Sequence, residues 1–102
     1  MFCIMLKKIT SEELKNKISE VQLIDIREPY EFKDGNIKGS INIPMGDFLE
    51  NLDQLDKSKQ TIIYCNTARR SKPVVYMAYR LYNIILYNLE GGYKNFLKVS
   101  AK

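Results

Sequence analysis

The sequence predicts an α/β domain with a mostly parallel central sheet and helices on both of its faces. Short apolar and β-branched runs, typical of buried strands, alternate along the chain with helical patterns. The 102 residues fit one domain, and the 45% that are hydrophobic suffice for one core. Strands that alternate with helices pair in parallel, because each helix carries the chain back to the start of the sheet.

The first half of the chain is predicted to begin with a capped helix and a buried strand. Thr10 and Glu13 form a capping-box pattern ahead of Leu14 and Ile18, which follow at helical spacing. A helix over roughly residues 11–19 is therefore expected. The elements predicted after it are a strand over 21–26, a helix over 28–34 that Gly35 stops, an edge strand over 41–44 and a short helix around Phe48 to Leu52.

The strongest strand pattern of the chain covers Thr61 to Tyr64 and runs directly into Cys65. A polar loop over 66–70 follows. Ser71 is expected to cap the next helix, whose first turn tolerates Pro73. The remaining predicted elements are a helix from Ser71 to Tyr82, a strand over 84–89, a turn at Gly91 and Gly92, and a last helix over 93–99.

The charge and hydropathy patterns argue against nucleic-acid and membrane partners. The chain has 16 basic and 12 acidic residues, for a net charge of +4. The basic residues are scattered, apart from a cluster at Arg69, Arg70 and Lys72, which predicts either simple solubility or attraction of a small anion. No stretch approaches the roughly 20 apolar residues of a membrane span.

The N-terminus does not match an export signal, because its apolar run is short and its lysines follow that run. We therefore expect a cytoplasmic protein. Residues 1–8 are expected to form an N-terminal extension and residues 9–102 the domain. Met5 is an alternative start to Met1, since the fold patterns begin after it.

The chain has no histidine and two cysteines, which excludes several chemistries. A Ser-His-Asp triad, a Cys-His dyad and a His-ligated metal site all need imidazole, and two cysteines cannot build an all-thiolate zinc site. No metal or other cofactor is implied. Without an export signal the two cysteines are expected to be free thiols, and Cys3 has no setting that suggests a role.

Cys65 lies where a buried strand ends and a helix is about to begin. Ligands bind at this edge of open α/β sheets, and a loop before a helix N-terminus can point several backbone N–H groups inward. Such a nest favours thiolate over thiol, and Arg69 and Arg70 add positive charge. Two interpretations remain open from position alone: a reactive cysteine, or a cysteine that only packs in the core. Likewise, the two arginines fit either an anion site or a solvated face.

Four segments match signature motifs in order. Leu23 to Phe32 is similar to L-I-D-V-R-E-P-x-E-F/Y, and Gly35 to Pro44 to G-H-I-x-G-A-I-N-I-P. Cys65 to Ser71 is similar to C-x-x-G-x-R-S, and Tyr87 to Gly92 to N-L-x-G-G. These are motifs of the rhodanese-like domain family. The resemblance spans about residues 9–98 and implies the rhodanese-like three-layer fold.

Three residues depart from the family pattern: Ala68 replaces the usual loop glycine, Asn36 a histidine, and Phe96 a frequent tryptophan. Alanine at a positive φ brings strain. We expect a negative φ at Ala68, because a six-residue loop can turn its N–H groups inward without a left-handed residue there.

The resemblance implies a sulfurtransferase in which Cys65 takes sulfur from a small anionic donor such as thiosulfate and passes it to a thiol or protein acceptor. It implies that residues 66–70 bind the donor and that Asp25, Arg27 and Ser71 support the loop. The residues expected to bind substrate are Asn66, Thr67, Ala68, Arg69 and Arg70.

One alternative is a non-catalytic partner-binding or sulfur-relay module. Phosphatases and arsenate reductases of the superfamily are disfavoured, because they carry C-x5-R whereas Arg70 completes only C-x4-R.

Overall fold

The central sheet has five strands, and every pairing between them is parallel. The computed structural model describes residues 6–101. Its strands are β1 (Lys8–Ile9), β2 (Gln22–Asp25), β3 (Ile41–Asn42), β4 (Thr61–Tyr64) and β5 (Tyr87–Leu89). They lie in the order β1-β5-β4-β2-β3. The mostly parallel sheet predicted from the sequence is confirmed.

The helices connect these strands. They are α1 (Ser11–Lys17), α2 (Pro29–Asp34), α3 (Met45–Phe48), α4 (Ser71–Tyr82) and α5 (Gly92–Ser100), with 3-10 segments at Ile18–Glu20 and Leu49–Gln54. The capping box ahead of α1 is confirmed: the Glu13 N–H donates to Thr10 Oγ1 at 3.0 Å, and the Thr10 N–H donates to Glu13 Oε1 at 2.9 Å.

The two faces of the sheet are covered by different helices. On one face, Ile62 and Tyr64 of β4 pack in a cluster with Leu14 of α1 and Phe96 of α5. Successive residues of a strand point to opposite sides of the sheet. Ile63 of β4 and Cys65 after it therefore face the other side from Ile62 and Tyr64. The members of that second cluster include Ile63, Cys65, Phe48 of α3, and Val74, Val75 and Ala78 of α4. The predicted three-layer architecture is therefore confirmed.

The centre of the sheet is a topological switch point. From β2 the chain passes through α2 to β3 on one side, whereas from β4 it passes through α4 to β5 on the other side. Connections that leave in opposite directions open a crevice between the carboxyl ends of the two strands. Asp25 ends β2 and Cys65 follows β4, so both lie at this crevice.

Three local predictions differ from the structure. Strand β1 is absent from the sequence-based prediction, because a run of two residues is too short to show a period. It includes Lys8, which the prediction assigns to the N-terminal extension. The strand predicted over 84–89 begins only at Tyr87, because Asn83 is left-handed (φ 55°) and the Ile84 N–H donates to the Ala78 carbonyl at 3.1 Å, which ends α4. Ser71 does not cap α4: it is the first helical residue, after Arg70.

Some expectations concern residues beyond the described range. Cys3 and the choice between Met1 and Met5 lie outside residues 6–101. Within that range, no helix is long and apolar enough to cross a membrane.

Candidate functional site

Cys65 lies beneath the loop that joins β4 to α4. Cys65 is only 1% exposed, and its side chain packs in the cluster beneath α4. The Ser71 N–H, in the first turn of α4, donates to Cys65 Sγ at 3.4 Å. The Ser71 hydroxyl oxygen lies at the same distance from the sulfur. Because a helix N-terminus and an N–H donor both favour negative charge, this setting suits an anionic sulfur.

The backbone of the loop is held by the first turn of α5. The Tyr93 N–H donates to the Cys65 carbonyl at 2.9 Å, and the Lys94 N–H donates to the Asn66 carbonyl at 3.1 Å. Gly92 permits this approach: its φ is +67°, and a Cβ there would lie 2.6 Å from the Asn66 carbonyl oxygen. The double-glycine turn thus brings a helix end against the peptide that follows Cys65.

Ala68 has a φ of +80°, so the expectation of a negative φ is wrong. The loop turns from strand to helix within a few residues, and the Ala68 carbonyl accepts a hydrogen bond from the Lys72 N–H at 3.2 Å in the first turn of α4. The positive φ of Ala68 turns the chain from the end of β4 into the first turn of α4. The strain that glycine would relieve is therefore present in this chain.

Arg70 is engaged by a carboxylate of α2. Its Nη1 and Nη2 donate to Glu31 Oε1 and Oε2, both at 3.0 Å. Glu31 Oε1 also accepts from the Glu28 N–H at 3.0 Å, at the start of α2. The hydrogen bonds from Arg70 hold the pKa of Glu31 below its usual value, and the carboxylate raises the pKa of Arg70. Arg69 is exposed at the loop surface.

Asp25 and Arg27 form a buried ion pair at the end of β2. Asp25 accepts hydrogen bonds from the Arg27 N–H and from Nε and Nη2 of its guanidinium, the last at 2.7 Å. Arg27 Nη2 also donates to the Gly35 carbonyl. The guanidinium carbon lies 4.5 Å from the centroid of the Tyr93 ring. Arg27 therefore reaches the loop through Tyr93, whose backbone holds the Cys65 carbonyl.

Ser71 connects the loop to β5 instead of capping α4. Its hydroxyl donates to Asn88 Oδ1 and lies 3.3 Å from the Ala68 carbonyl oxygen. Ser71 and Asn88 are both buried. A serine at the first helical position has its side chain directed back to the preceding loop, which is why it meets the sulfur.

Three contacts of this site were not predicted from the sequence: those of Glu31, those of Asn88, and the close approach of Gly92 to the loop, where only a turn was expected. All three residues lie inside the matched motifs, so the patterns contained them. Their partners are distant in sequence, however, and no periodicity or spacing shows that Glu31 meets Arg70 or that Asn88 meets Ser71.

Two open grooves flank the loop. One is lined by Thr67, Ala68, Lys72, Asn88 and Glu90, among others. The second groove is lined by Arg27, Glu31, Asn66, Tyr93 and Lys94, among others. Cys65 borders neither groove. Among residues 6–101, no group of three acidic, cysteine or histidine side chains is close enough to hold a metal ion.

Comparison with known proteins agrees with this architecture. The family model described as Rhodanese-like domain matches residues 10–98. The chain is 33% identical over 99 residues to the uncharacterized protein YqhL of Bacillus subtilis, covering 96% of this chain and 79% of the relative. It is 30% identical over 92 residues to a sulfurtransferase of Allochromatium vinosum, covering 86% and 85%.

A solved structure shows the same fold. The rhodanese-related protein of Thermoplasma volcanium superposes with a TM-score of 0.84 at 28% identity, covering 91% of this chain and 92% of that one. The family match, the relatives and the fold agree over nearly the whole domain. This chain belongs to the rhodanese-like domain family.

Proposed function

We propose that the chain is a thiosulfate sulfurtransferase-type enzyme that carries sulfane sulfur as a persulfide on Cys65. The donor is a small anion such as thiosulfate, and the acceptor is a thiol or a protein. The observation that carries the proposal is the direction of the Ser71 N–H, which donates to Cys65 Sγ from the first turn of α4. That geometry suits a sulfur that bears charge.

The reaction has two half-reactions. The Cys65 thiolate attacks the outer sulfur of the donor; an S–S bond forms to Cys65, the S–S bond of thiosulfate breaks, and sulfite leaves with the electron pair. An acceptor thiolate or cyanide then attacks the outer persulfide sulfur, and the Cys65 thiolate leaves. Covalent catalysis of this kind gives ping-pong kinetics.

Access to the sulfur requires motion of the loop, because Cys65 is only 1% exposed. The exposed side chains of Arg69, Lys72 and Lys94 surround the loop with positive charge, which favours approach of an anion. Asn66, Thr67, Ala68, Arg69 and Arg70 are the loop residues proposed to contact the donor.

The loop length favours sulfur transfer over phosphoryl or arsenate chemistry. Six residues, from Cys65 to Arg70, precede the helix residue Ser71. A larger C-x5-R loop would enclose a tetrahedral phosphate, whereas a tighter ring suits a single additional sulfur.

The second candidate is a non-catalytic rhodanese-like module, and the burial of Cys65 favours it. In that case the thiol is a core residue, and the loop surface serves a partner. The sulfurtransferase is expected to turn over thiosulfate, whereas the non-catalytic module is not.

Variants of the two cysteines test the proposal. Cys65→Ser is expected to reduce thiosulfate:cyanide sulfurtransfer to the background rate, because the nucleophile is lost while the fold is retained. Cys3→Ser is the matched control and is expected to keep nearly full activity. Equal losses in the two variants, or a wild-type protein without turnover, would contradict the proposal.

A further inference from the structure

Three buried polar groups from three elements meet beneath the loop. They are Cys65 after β4, Ser71 at the start of α4 and Asn88 in β5, with exposed fractions of 1%, 0% and 5%. The Ser71 hydroxyl lies between the other two, 3.4 Å from Cys65 Sγ and hydrogen-bonded to Asn88 Oδ1.

The Ser71 hydroxyl has a single proton and three acceptors within reach, which are Asn88 Oδ1, the Ala68 carbonyl oxygen at 3.3 Å and Cys65 Sγ. Its bond to Asn88 therefore limits what it offers the sulfur. While that proton is donated to Asn88 Oδ1, the oxygen presents a lone pair to Cys65, which is the partner that a protonated S–H needs. An ionised sulfur needs the opposite, a donated proton. If Ser71 turns its proton to the sulfur, Asn88 Oδ1 loses its donor, and a buried acceptor without a partner is costly.

An asparagine can resolve this conflict, because its amide carries an acceptor at one end and a donor at the other. A half-turn of the Asn88 amide brings Nδ2–H to the Ser71 oxygen and frees the Ser71 proton for the sulfur. Asn88 also borders the open groove lined by Thr67, Ala68 and Lys72. The outer end of the amide can therefore pair with water in either orientation.

We infer that Asn88 and Ser71 are positioning residues that match the hydrogen bonding around Cys65 Sγ to its charge, with the Asn88 amide reversing when Cys65 passes from thiol to thiolate. The inference rests on the proposed function, because the thiolate is the form that accepts sulfur. The thiol proton leaves to hydroxide or a buffer base, and no bond other than S–H breaks in this step.

The charged groups around the network lie on several elements. Arg70, paired with Glu31 of α2, is close enough for its charge to interact with Cys65. Lys8, Lys72 and Glu90 line the groove beside Asn88. These groups are unchanged in the variants below.

The direct test replaces the reversible amide with a group that only accepts. Asn88→Asp holds the Ser71 proton on residue 88, so the pH midpoint of Cys65 ionisation is expected to rise by about one unit, the tenfold effect of one hydrogen bond to a charged sulfur. The midpoint is read from the NMR shift of the isotope-labelled cysteine β-carbon in a Cys3→Ser background, which needs neither substrate nor access to the thiol.

A second background separates hydrogen bonding from the added negative charge. In Ser71→Ala the hydroxyl is absent, so Asn88→Asp is expected to shift the midpoint much less than it does with Ser71 present. Equal shifts in both backgrounds, or no shift with Ser71 present, would overturn the inference.

A further variant guards against misfolding of the buried aspartate. Asn88→Leu removes donor and acceptor together, which leaves Cys65 Sγ and the Ala68 carbonyl oxygen as the acceptors near the Ser71 hydroxyl. Its midpoint is expected to stay at or below the wild-type value, whereas Ser71→Ala raises it. If Asn88→Leu raises the midpoint as far as Ser71→Ala does, Asn88 only holds Ser71 in place, and the inference is overturned. A protein that makes no persulfide but shows the expected shifts refutes the proposed function and not this inference.

Discussion

At the scale of single residues, Ala68 and Cys65 carry the unusual features of the loop. Cys65 is a buried thiol whose hydrogen-bond partner in the described chain is Ser71 alone. Ala68 is one of two non-glycine residues with a positive φ in that same part of the chain. Strain held beside a candidate nucleophile is typical of functional loops, where the surrounding structure fixes the backbone.

Ala68→Gly is expected to raise the free energy of unfolding by about 1 kcal/mol, because glycine removes the Cβ that disfavours φ +80°. Denaturant unfolding of the two proteins measures it. The control is Ala78→Gly in the middle of α4, where the same chemical change is expected to lower the free energy of unfolding. A loss of stability at both positions would show that Ala68 is not strained.

At the scale of elements, the loop is held from three directions. The first turn of α5 donates two N–H groups to the loop carbonyls. Glu31 of α2 binds Arg70, and Asn88 of β5 binds Ser71. The three contacts join the loop to α5, α2 and β5, so its position depends on how these elements pack around β4.

Gly92→Ala is expected to destabilise the protein by about 2 kcal/mol or more, because the new Cβ would lie 2.6 Å from the Asn66 carbonyl oxygen at a φ of +67°. Gly39→Ala is the matched control: its φ is +92° and no atom lies within 4 Å of the added Cβ. The difference between the two losses in thermal or denaturant unfolding isolates the close approach. Equal losses would mean that backbone strain alone explains Gly92.

Glu31→Gln is expected to lower the free energy of unfolding near neutral pH by less than about 1 kcal/mol, because Arg70 is partly exposed and the ion pair is screened. The pKa of Glu31 is lowered by the Arg70 hydrogen bonds. The stabilisation is therefore fully present above the unfolded value of about 4.3 and is lost as the pH falls through the lower folded value.

Urea unfolding of wild type and Glu31→Gln across this acidic range measures the effect. The difference between the two proteins is expected to shrink as the pH falls. In an Arg70→Gln background, Glu31→Gln is expected to cost little at any pH, which serves as the control. A pH-independent difference would contradict the ion-pair account.

At the scale of the whole molecule, the sheet order explains why the site lies where it does. The strands β2 and β4 are neighbours, and their connections leave in opposite directions. Cys65, Asp25 and the N-terminus of α4 therefore meet at one crevice. The position of the site follows from topology before any side chain is considered.

The sequence predicts the parts of this arrangement that depend on local pattern. The strand β4 and the helix α4 are evident from a β-branched run and an apolar helical face, and Thr10 and Glu13 mark the start of α1. Contacts between distant residues are not predictable in this way. Glu31 and Arg70 are 39 residues apart, and only the folded sheet brings them together.

Backbone conformation at a substituted motif position is equally hidden from the sequence. Alanine favours a negative φ in isolation, and the contacts of the turn into α4 outweigh that preference at Ala68. The motifs thus propose the residues of the candidate site, while their contact partners and the loop geometry require the structure.

The most direct test of a persulfide on Cys65 is the mass of the protein after treatment with thiosulfate. We expect one added sulfur, located on the peptide that contains Cys65, removed by cyanide and absent from Cys65→Ser. An unchanged mass in the wild-type protein, or an added sulfur that persists in Cys65→Ser, would contradict the account.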